Sequence, residues 1–330
     1  MTFRQATQHE LRLAVGWAAQ EGWNPGVSDA DAFWVTDPEG YVCAERDGAL
    51  IATGSVVRYG KDYGFMGLFI VRPDLRGQGI GRDFWNWRRD LLRSRLKPGA
   101  AIGMDGVFNM QPFYSKGGFV FSHRNLRMEG MGAAHGMDGI VSLTELPFDS
   151  VAAFDKRHFG VDRATFLQAW IHPEGGLALG TLEGGQLAGM GVIRPCRVGF
   201  KIGPLFANGP GAADQLFRAL SNHAAGQSLY LDIPENNPDA VALAERHRLN
   251  EVFGCARMYL GEAPATPNLF TTATTAVIGP SDSIPAWQNL TQKLDYEAEL
   301  ALIIGKGGVN IQPEDAWSHV FGYTAINDIS

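Results

Sequence analysis

Arg76-Gly77-Gln78-Gly79-Ile80-Gly81 is the stretch on which the reading of this chain turns. The apolar run Gly64 to Val71 leads into it through Arg72-Pro73-Asp74-Leu75. A helix is expected beyond it, from Gly81 to about Arg95, with Phe84, Trp85, Leu91 and Leu92 on its apolar side. Strand, glycine loop and helix in that order make an anion site. Glycines at 77, 79 and 81 carry no side chains, so backbone N–H groups can approach a pyrophosphate. The start of the helix adds unpaired donors and the positive end of its dipole. A dinucleotide fold would place an acidic ribose ligand about 20 residues further on. Here Arg93 to Lys97 stand there instead. From Arg72 to Lys97 there are eight basic residues and three acidic ones, a local positive excess inside a chain of net charge -7.

Working outward, Thr7-Gln8-His9-Glu10 reads as a capping box, and Leu11, Ala14, Val15 and Ala18 follow at helical spacing to Gly22. Ser28 to Trp34 predicts a second short helix. Tyr41 to Glu45 and Ala49 to Arg58 predict a hairpin about Asp47-Gly48. Ala101 to Val107 reads as a strand, Asn109 to Lys116 as a short helix, and Phe119 to Met128 as a closing strand. The pattern then returns. Gly48-Ala49-Leu50 followed by Gly54 recurs as Gly185-Gln186-Leu187 followed by Gly191. Gly64-Phe65-Met66-Gly67-Leu68-Phe69 recurs as Gly199-Phe200-Lys201-Ile202-Gly203-Pro204-Leu205-Phe206. Landmarks in the same order at offsets of 137 and 135 residues point to duplication of a whole domain, closing with a strand around Val252 to Leu260. The division expected is 1–132, 137–264, and a tail of 266–330 that is short for an independent core.

Composition narrows the function. The net charge argues against nucleic acid as a partner, and no apolar run approaches the length of a membrane span. Three cysteines, Cys43, Cys196 and Cys255, lie far apart and suit a reducing compartment, and Met1 to Glu10 lacks a signal-peptide core. A cytoplasmic protein is expected, its oligomeric state open. Neither a His-Glu-x-x-His nor a Gly-x-Ser-x-Gly motif is present.

Arg76 to Gly81, with Val71-Arg72-Pro73 before it and Tyr114-Ser115-Lys116-Gly117-Gly118-Phe119 downstream, resembles the acetyl-coenzyme A motifs of the GNAT acetyltransferase superfamily. The resemblance covers about residues 3 to 130, and a degenerate version covers 137 to 264. It implies an α/β (α+β) fold of two tandem mixed sheets flanked by helices. It further implies that the amides of Gly77, Gln78, Gly79, Ile80 and Gly81 hold the coenzyme's pyrophosphate, with Arg76 adding charge. The strand carrying Phe69, Ile70 and Val71 would pair its backbone with the pantetheine arm, assisted by Asn109. Tyr114 would protonate the departing thiolate. The expected reaction is direct attack of a primary amine, on a small molecule or an exposed amino group, on acetyl-coenzyme A. Glu21, Asp62 and Asp105 are candidate general bases, and Trp23, Phe33, Trp34 and Tyr63 candidate walls of the acceptor pocket. In the second copy Ala207-Asn208-Gly209-Pro210-Gly211-Ala212 takes the place of the loop, and Pro210 has no N–H to offer. This copy is expected to shape the acceptor site or to support the first.

In the tail, Asp295, Glu297 and Glu299 alternate along a strand ending at Ile304, which puts their carboxylates on one face. Asp295-Tyr296-Glu297-Ala298-Glu299-Leu300, Ile304-Gly305-Lys306-Gly307-Gly308 and Phe321-Gly322-Tyr323-Thr324 with Asn327-Asp328 resemble the fumarylacetoacetate hydrolase family. That resemblance implies Glu297, Glu299 and Asp328 as magnesium ligands in a partial, β-rich domain. Two alternatives therefore stand beside the transferase: a non-catalytic acyl-coenzyme A sensor, and a magnesium-dependent hydrolase working through the tail.

Overall fold

The computed structural model describes residues 1–137, 139–263, 296–304 and 313–329. The chain divides into two units, Met1–Pro267 and Asn268–Ser330. The first unit opens with β1 (Thr2–Gln5), α1 (Gln8–Gln20) and α2 (Asp29–Thr36). The capping box forms as read: the Thr7 hydroxyl accepts the Glu10 N–H at 3.2 Å and the Glu10 carboxylate accepts the Thr7 N–H at 2.8 Å. Then come β2 (Tyr41–Arg46), β3 (Ala49–Tyr59), β4 (Tyr63–Val71), α3 (Ile80–Arg95), β5 (Ala101–Gly106), α4 (Gln111–Lys116) and β6 (Val120–Met131). Asp47 and Gly48 both have positive φ, 52° and 75°, which is what the two-residue hairpin turn requires.

The second copy repeats the series with β7 (Ile140–Ser142), α5 (Phe148–Phe159), α6 (Ala164–Trp170), β8 (Leu177–Glu183), β9 (Gln186–Pro195) and β10 (Phe200–Ala207). It ends with α7 (Pro210–His223), β11 (Ser228–Pro234), α8 (Pro238–Arg246) and β12 (Asn250–Leu260). Apolar faces close on both sides of the sheet. In the first copy Phe84, Trp85 and Leu92 of α3 pack on Met66, Ile102 and Met104. On the other face Leu11 and Val15 of α1 pack with Tyr41 and Val57.

Where two sheets were expected, the strands form one twelve-stranded sheet in the order β1-β2-β3-β4-β5-β12-β6-β11-β10-β9-β8-β7. The closing strands have changed places. β12, from the second copy, pairs with β5 of the first, and β6, from the first, pairs with β11 of the second. The exchange covers what would be open edges at β5 and β11 and carries matched cross-strand charge pairs. Arg257 is the register partner of Asp105, and Arg127 that of Asp232. Each arginine grips its aspartate with two hydrogen bonds, 2.7 and 2.9 Å in the first pair and 2.7 and 2.8 Å in the second. The break expected between 132 and 137 thus separates the copies along the chain but not within the sheet.

In the second unit β13 (Tyr296–Ile304) and β14 (Val320–Ile329) form an antiparallel pair in which Glu297 is the register partner of Asp328.

Candidate active site

β4 and β5 run parallel and pair only from Tyr63 and Ala101 to Met66 and Met104, after which they part. Beyond that point Gly67 to Val71 keep only their pairing to β3, leaving a gap on the β5 side. Opposite the gap β3 and β4 lose register: Ser55 pairs with Gly67 and Thr53 with Ile70, so Leu68 and Phe69 together face the single Gly54. This is a β-bulge, and Leu68 takes a positive φ of 48° in it. Bulges leave a residue outside the ladder, so its backbone groups are available to something else.

Eight residues, Arg72 to Gly79, connect β4 to α3. Gly77 and Gly79 have φ of 78° and 83°, the left-handed region that a side chain resists. No described backbone hydrogen bond uses the amides of Gly77, Gln78, Gly79, Ile80 or Gly81. A Cβ on Gly77 would meet nothing within 4 Å, so the space over these amides is open. Five unclaimed donors at the N-terminus of a sixteen-residue helix make an anion cradle.

Arg76 is not turned toward that cradle. Its Nε donates to the Val71 carbonyl at 2.9 Å and its Nη2 pairs with Glu21, the residue capping the C-terminus of α1. The rest of the basic stretch is largely occupied too. Arg72 pairs with Asp74, Arg89 with Asp90, Arg95 with Asp37 and Lys97 with Asp62. Among the described residues Arg82, in the first turn of α3, forms no ion pair, and its Nη2 would lie 3.9 Å from a Cβ on Gly79.

Tyr114 of α4 is 5% exposed and stands 4.9 Å from the Trp85 ring. A Cβ on Gly106 would come within 2.4 Å of its ring, so the glycine at the end of β5 makes the tyrosine's space. Burial pushes the phenol up to about 12, only partly offset by Arg88, and the group is a neutral O–H at physiological pH. Its hydroxyl has no hydrogen-bond partner among the described residues. Asn109 lies exposed between β5 and α4.

Of the acidic candidates, only Asp105 stands where β4 and β5 part. Its carboxylate accepts from Arg257 twice and from Asn125 at 2.9 Å, so both oxygens are engaged in anchoring neighbouring strands. Glu21 is engaged by Arg76, and Asp62 lies at the far end of β4 in the turn from β3. The four aromatic candidates do not converge. Phe33 stacks on Trp170 of the second copy, Trp34 on Tyr41, and Tyr63 on Tyr59, while the Trp23 carbonyl accepts from Arg127. Sequence reasoning missed two contributions. Arg257 comes from a strand 152 residues away. Arg88 is fully buried, although its spacing from Phe84 and Leu92 is the helical four that marks the apolar face.

The second copy keeps the gap and loses the chemistry around it. β10 and β11 pair from Phe200 and Leu229 to Ile202 and Leu231 and then part, which aligns Ile202 with Met66, Gly203 with Gly67 and Pro204 with Leu68. Two residues, Asn208 and Gly209, connect β10 to α7, with Pro210 at its first position. The Phe119 N–H donates to the Tyr114 carbonyl as the Leu249 N–H does to Ala244, so alanine stands where the first copy has tyrosine.

The Acetyltransferase (GNAT) family pattern matches residues 8–119, and the Acetyltransferase (GNAT) domain pattern matches residues 151–269. The chain carries two GNAT domains. The Fumarylacetoacetate (FAA) hydrolase C-terminal pattern matches residues 240–330, overlapping the end of the second GNAT match. A holothin acyltransferase from Pseudoalteromonas sp. is 29% identical over 266 residues, which cover 80% of this chain and 89% of the relative. The oxaloacetate tautomerase YisK of Bacillus subtilis is 35% identical over 102 residues, and the chain spans only 33% of its length. Among solved structures, a putative acetyltransferase from Pyrococcus horikoshii aligns with TM-score 0.67 at 24% identity, covering 80% of this chain and 90% of that one. A tandem GNAT protein from the clavulanic acid biosynthesis pathway aligns with TM-score 0.56 at 13% identity, covering 80% and 99%. These two show the fold alone. The protein is thus an acyltransferase of the GNAT type, a fold that takes an acyl-coenzyme A cosubstrate. No described helix is long and apolar enough to cross a membrane. Among the described residues no group of three or more His, Cys, Asp or Glu is placed to hold a metal ion. The side chains of Glu297, Glu299 and Asp328, expected as magnesium ligands, lie outside the described residues, and no metal chemistry is assigned to the tail.

Proposed function

We propose that the first GNAT domain transfers the acetyl group of acetyl-coenzyme A to a primary amine by direct attack. The observation that carries the reading is the cradle of unclaimed amides from Gly77 to Gly81, at the head of α3 and beside the gap between β4 and β5. The amides hold the pyrophosphate, with Arg82 beside Gly79 adding charge. Arg76 joins them if it leaves Glu21. The open edge of β4, through Phe69, Ile70 and Val71, takes the pantetheine arm and brings the thioester into the gap. There the amine nitrogen bonds to the carbonyl carbon and the carbon–sulfur bond breaks. Tyr114 gives its proton to the thiolate, and the proton shed by the amine returns through solvent to restore the phenol. The relative named holothin acyltransferase supports a small molecule over a protein as the acceptor, and holothin is the first amine to try.

Release of free thiol from acetyl-coenzyme A, followed with holothin and with a panel of simple primary amines, tests the reading. Tyr114→Phe is expected to lower turnover by about a hundredfold or more with coenzyme affinity retained. An unchanged rate in the phenylalanine variant would remove Tyr114 from the chemistry. Binding without turnover of any amine would favour the sensor alternative.

A further inference from the structure

Arg88 is a cation in a place built for apolar side chains. It is 0% exposed on α3, between Phe84 and Leu92, and has no carboxylate partner among the described residues. Its Nη2 donates to the carbonyls of Ser55 and Gly67, both at 2.8 Å. Its Nε and Nη1 are buried and have no hydrogen-bond partner among the described residues. The guanidinium lies 5.0 Å from the centre of the Phe69 ring. Burial without a counter-ion pushes its pKa down to about 9. An uncompensated buried cation costs several kcal/mol in general, so the fold would be expected to do without it if packing were its only task.

The second domain shows that the fold can do without it. A Cβ on Gly54 would come within 2.3 Å of Arg88 Nε, and a Cβ on Gly191, the equivalent glycine of β9, within 2.6 Å of Leu220. Leucine, fully buried, therefore occupies the arginine's place over a bulge of the same kind. That same bulge has Pro204 where the first domain has Leu68, and proline has no N–H. The domain without the amide cradle thus lacks both the buried cation and the bulge amide.

We infer that Arg88 is a positioning residue for acyl transfer. It wedges into the bulge and binds the Gly67 carbonyl, and so orients and polarises the peptide whose other end is the Leu68 N–H. That N–H is the donor for the thioester oxygen as it gains negative charge. A carbonyl bound by a cation makes its own peptide N–H a stronger donor, and a donor fixed in advance costs no reorganisation during the reaction. The inference rests on the proposed acetyl transfer, because it assigns a role within the same gap.

The test uses acetyl-coenzyme A carrying carbon-13 at the thioester carbonyl, with the bound carbonyl stretch read by infrared difference spectroscopy on the full chain. Wild type should lower that stretch relative to free acetyl-coenzyme A. Arg88→Met should lose the downshift, Arg88→Lys should restore part of it, and calorimetric affinity should stay within about threefold of wild type, since the pyrophosphate contacts lie elsewhere. Gly54→Ala leaves Arg88 present but displaces its guanidinium, and should lose the downshift as well. The methionine variant replaces an unpaired charge by an apolar chain of similar length and is expected to melt no lower than wild type. A full downshift in Arg88→Met or in Gly54→Ala would overturn the inference and leave the transferase standing. Wild type that binds no acetyl-coenzyme A would overturn the transferase itself and this role with it.

Discussion

In the first domain eight residues, Arg72 to Gly79, join the central strand to its helix; in the second, Asn208 and Gly209 do the same work. Both domains have the parted strands, the bulge, the helix packed across it and the cross-strand aspartate–arginine pair. Several differences fall on groups that a coenzyme would touch, on the proposed reading, or that hold such a group. The amide cradle gives way to a two-residue connection, Leu68 to Pro204, Arg88 to Leu220, and Tyr114 with Gly106 to Ala244 with Ile233. A frame preserved without its reactive groups is being kept for another reason. The exchanged strands supply one, since β12 completes the first domain's sheet and places Arg257 on Asp105 at the edge of its gap. The second domain's closing strand is thus part of the first domain's sheet, on the edge where β4 and β5 part.

The strongest way to break this comparison is to give the first domain the second domain's pair. Tyr114→Ala with Gly106→Ile should fold, because the volume lost at one position returns at the other. Thiol-release assays should show turnover about 10² to 10⁴ lower. Melting that stays near wild type while turnover collapses would separate chemistry from packing.

The second test lies in the other domain. Lys201 stands where the first domain has Phe65 and is 6% exposed, with its Nζ donating to the Asn24 carbonyl at 2.9 Å. Burial pushes its pKa down from 10.5 to about 8. Between those values the unfolded chain binds the extra proton, so this lysine's penalty is complete below pH 8 and fades as pH rises toward 10.5. Lys201→Met should therefore be more stable than wild type at pH 7 by about 1 to 3 kcal/mol, the gap closing at high pH. Urea melts at pH 7 and pH 10 check both the sign and the trend.

The strand exchange gives a third test. Arg257→Met and Arg127→Met each break one bidentate pair, and each should cost about 1 to 2 kcal/mol, because the partner aspartates keep contact with water. If the second domain is a wall of the first domain's site, Arg257→Met should also raise the KM for the acceptor. Arg127→Met should leave that KM alone.

What the sequence discloses follows the distance over which a structure is decided. The capping box at Thr7, the Asp47-Gly48 turn and the glycine loop are each settled within a few residues, so their chemistry is visible in the string. The duplication is visible because glycine landmarks recur in order. The strand exchange is not, since nothing in β6 or β12 says which of two similar neighbours it will pair with. The basic stretch misled in a related way. Counted as charge, Arg72 to Lys97 looks like a surface drawn to anions, yet most of it is spent on neighbouring carboxylates and one member is in the core. Arg88 was legible only as a charge at an apolar helix position, and Arg76 only as part of a motif, with its contact to Glu21 set by a helix 55 residues earlier.

The smallest effect concerns the first helix of each domain. α1 is capped by Thr7 and Glu10, while α5 has Pro147 at its N-cap and no side-chain cap. Thr7→Ala should cost about 1 kcal/mol in a urea melt, leaving the first domain's helix as uncapped as the second's.

On the proposed reading, one domain of the two holds the coenzyme. Calorimetric titration of the full chain with acetyl-coenzyme A tests it directly, alongside Gly79→Pro, which removes a cradle amide and cannot adopt the positive φ that Gly79 takes. One molecule bound per chain in wild type, and none in the variant, is the expected result. Two molecules per chain, or binding that survives Gly79→Pro, would contradict it.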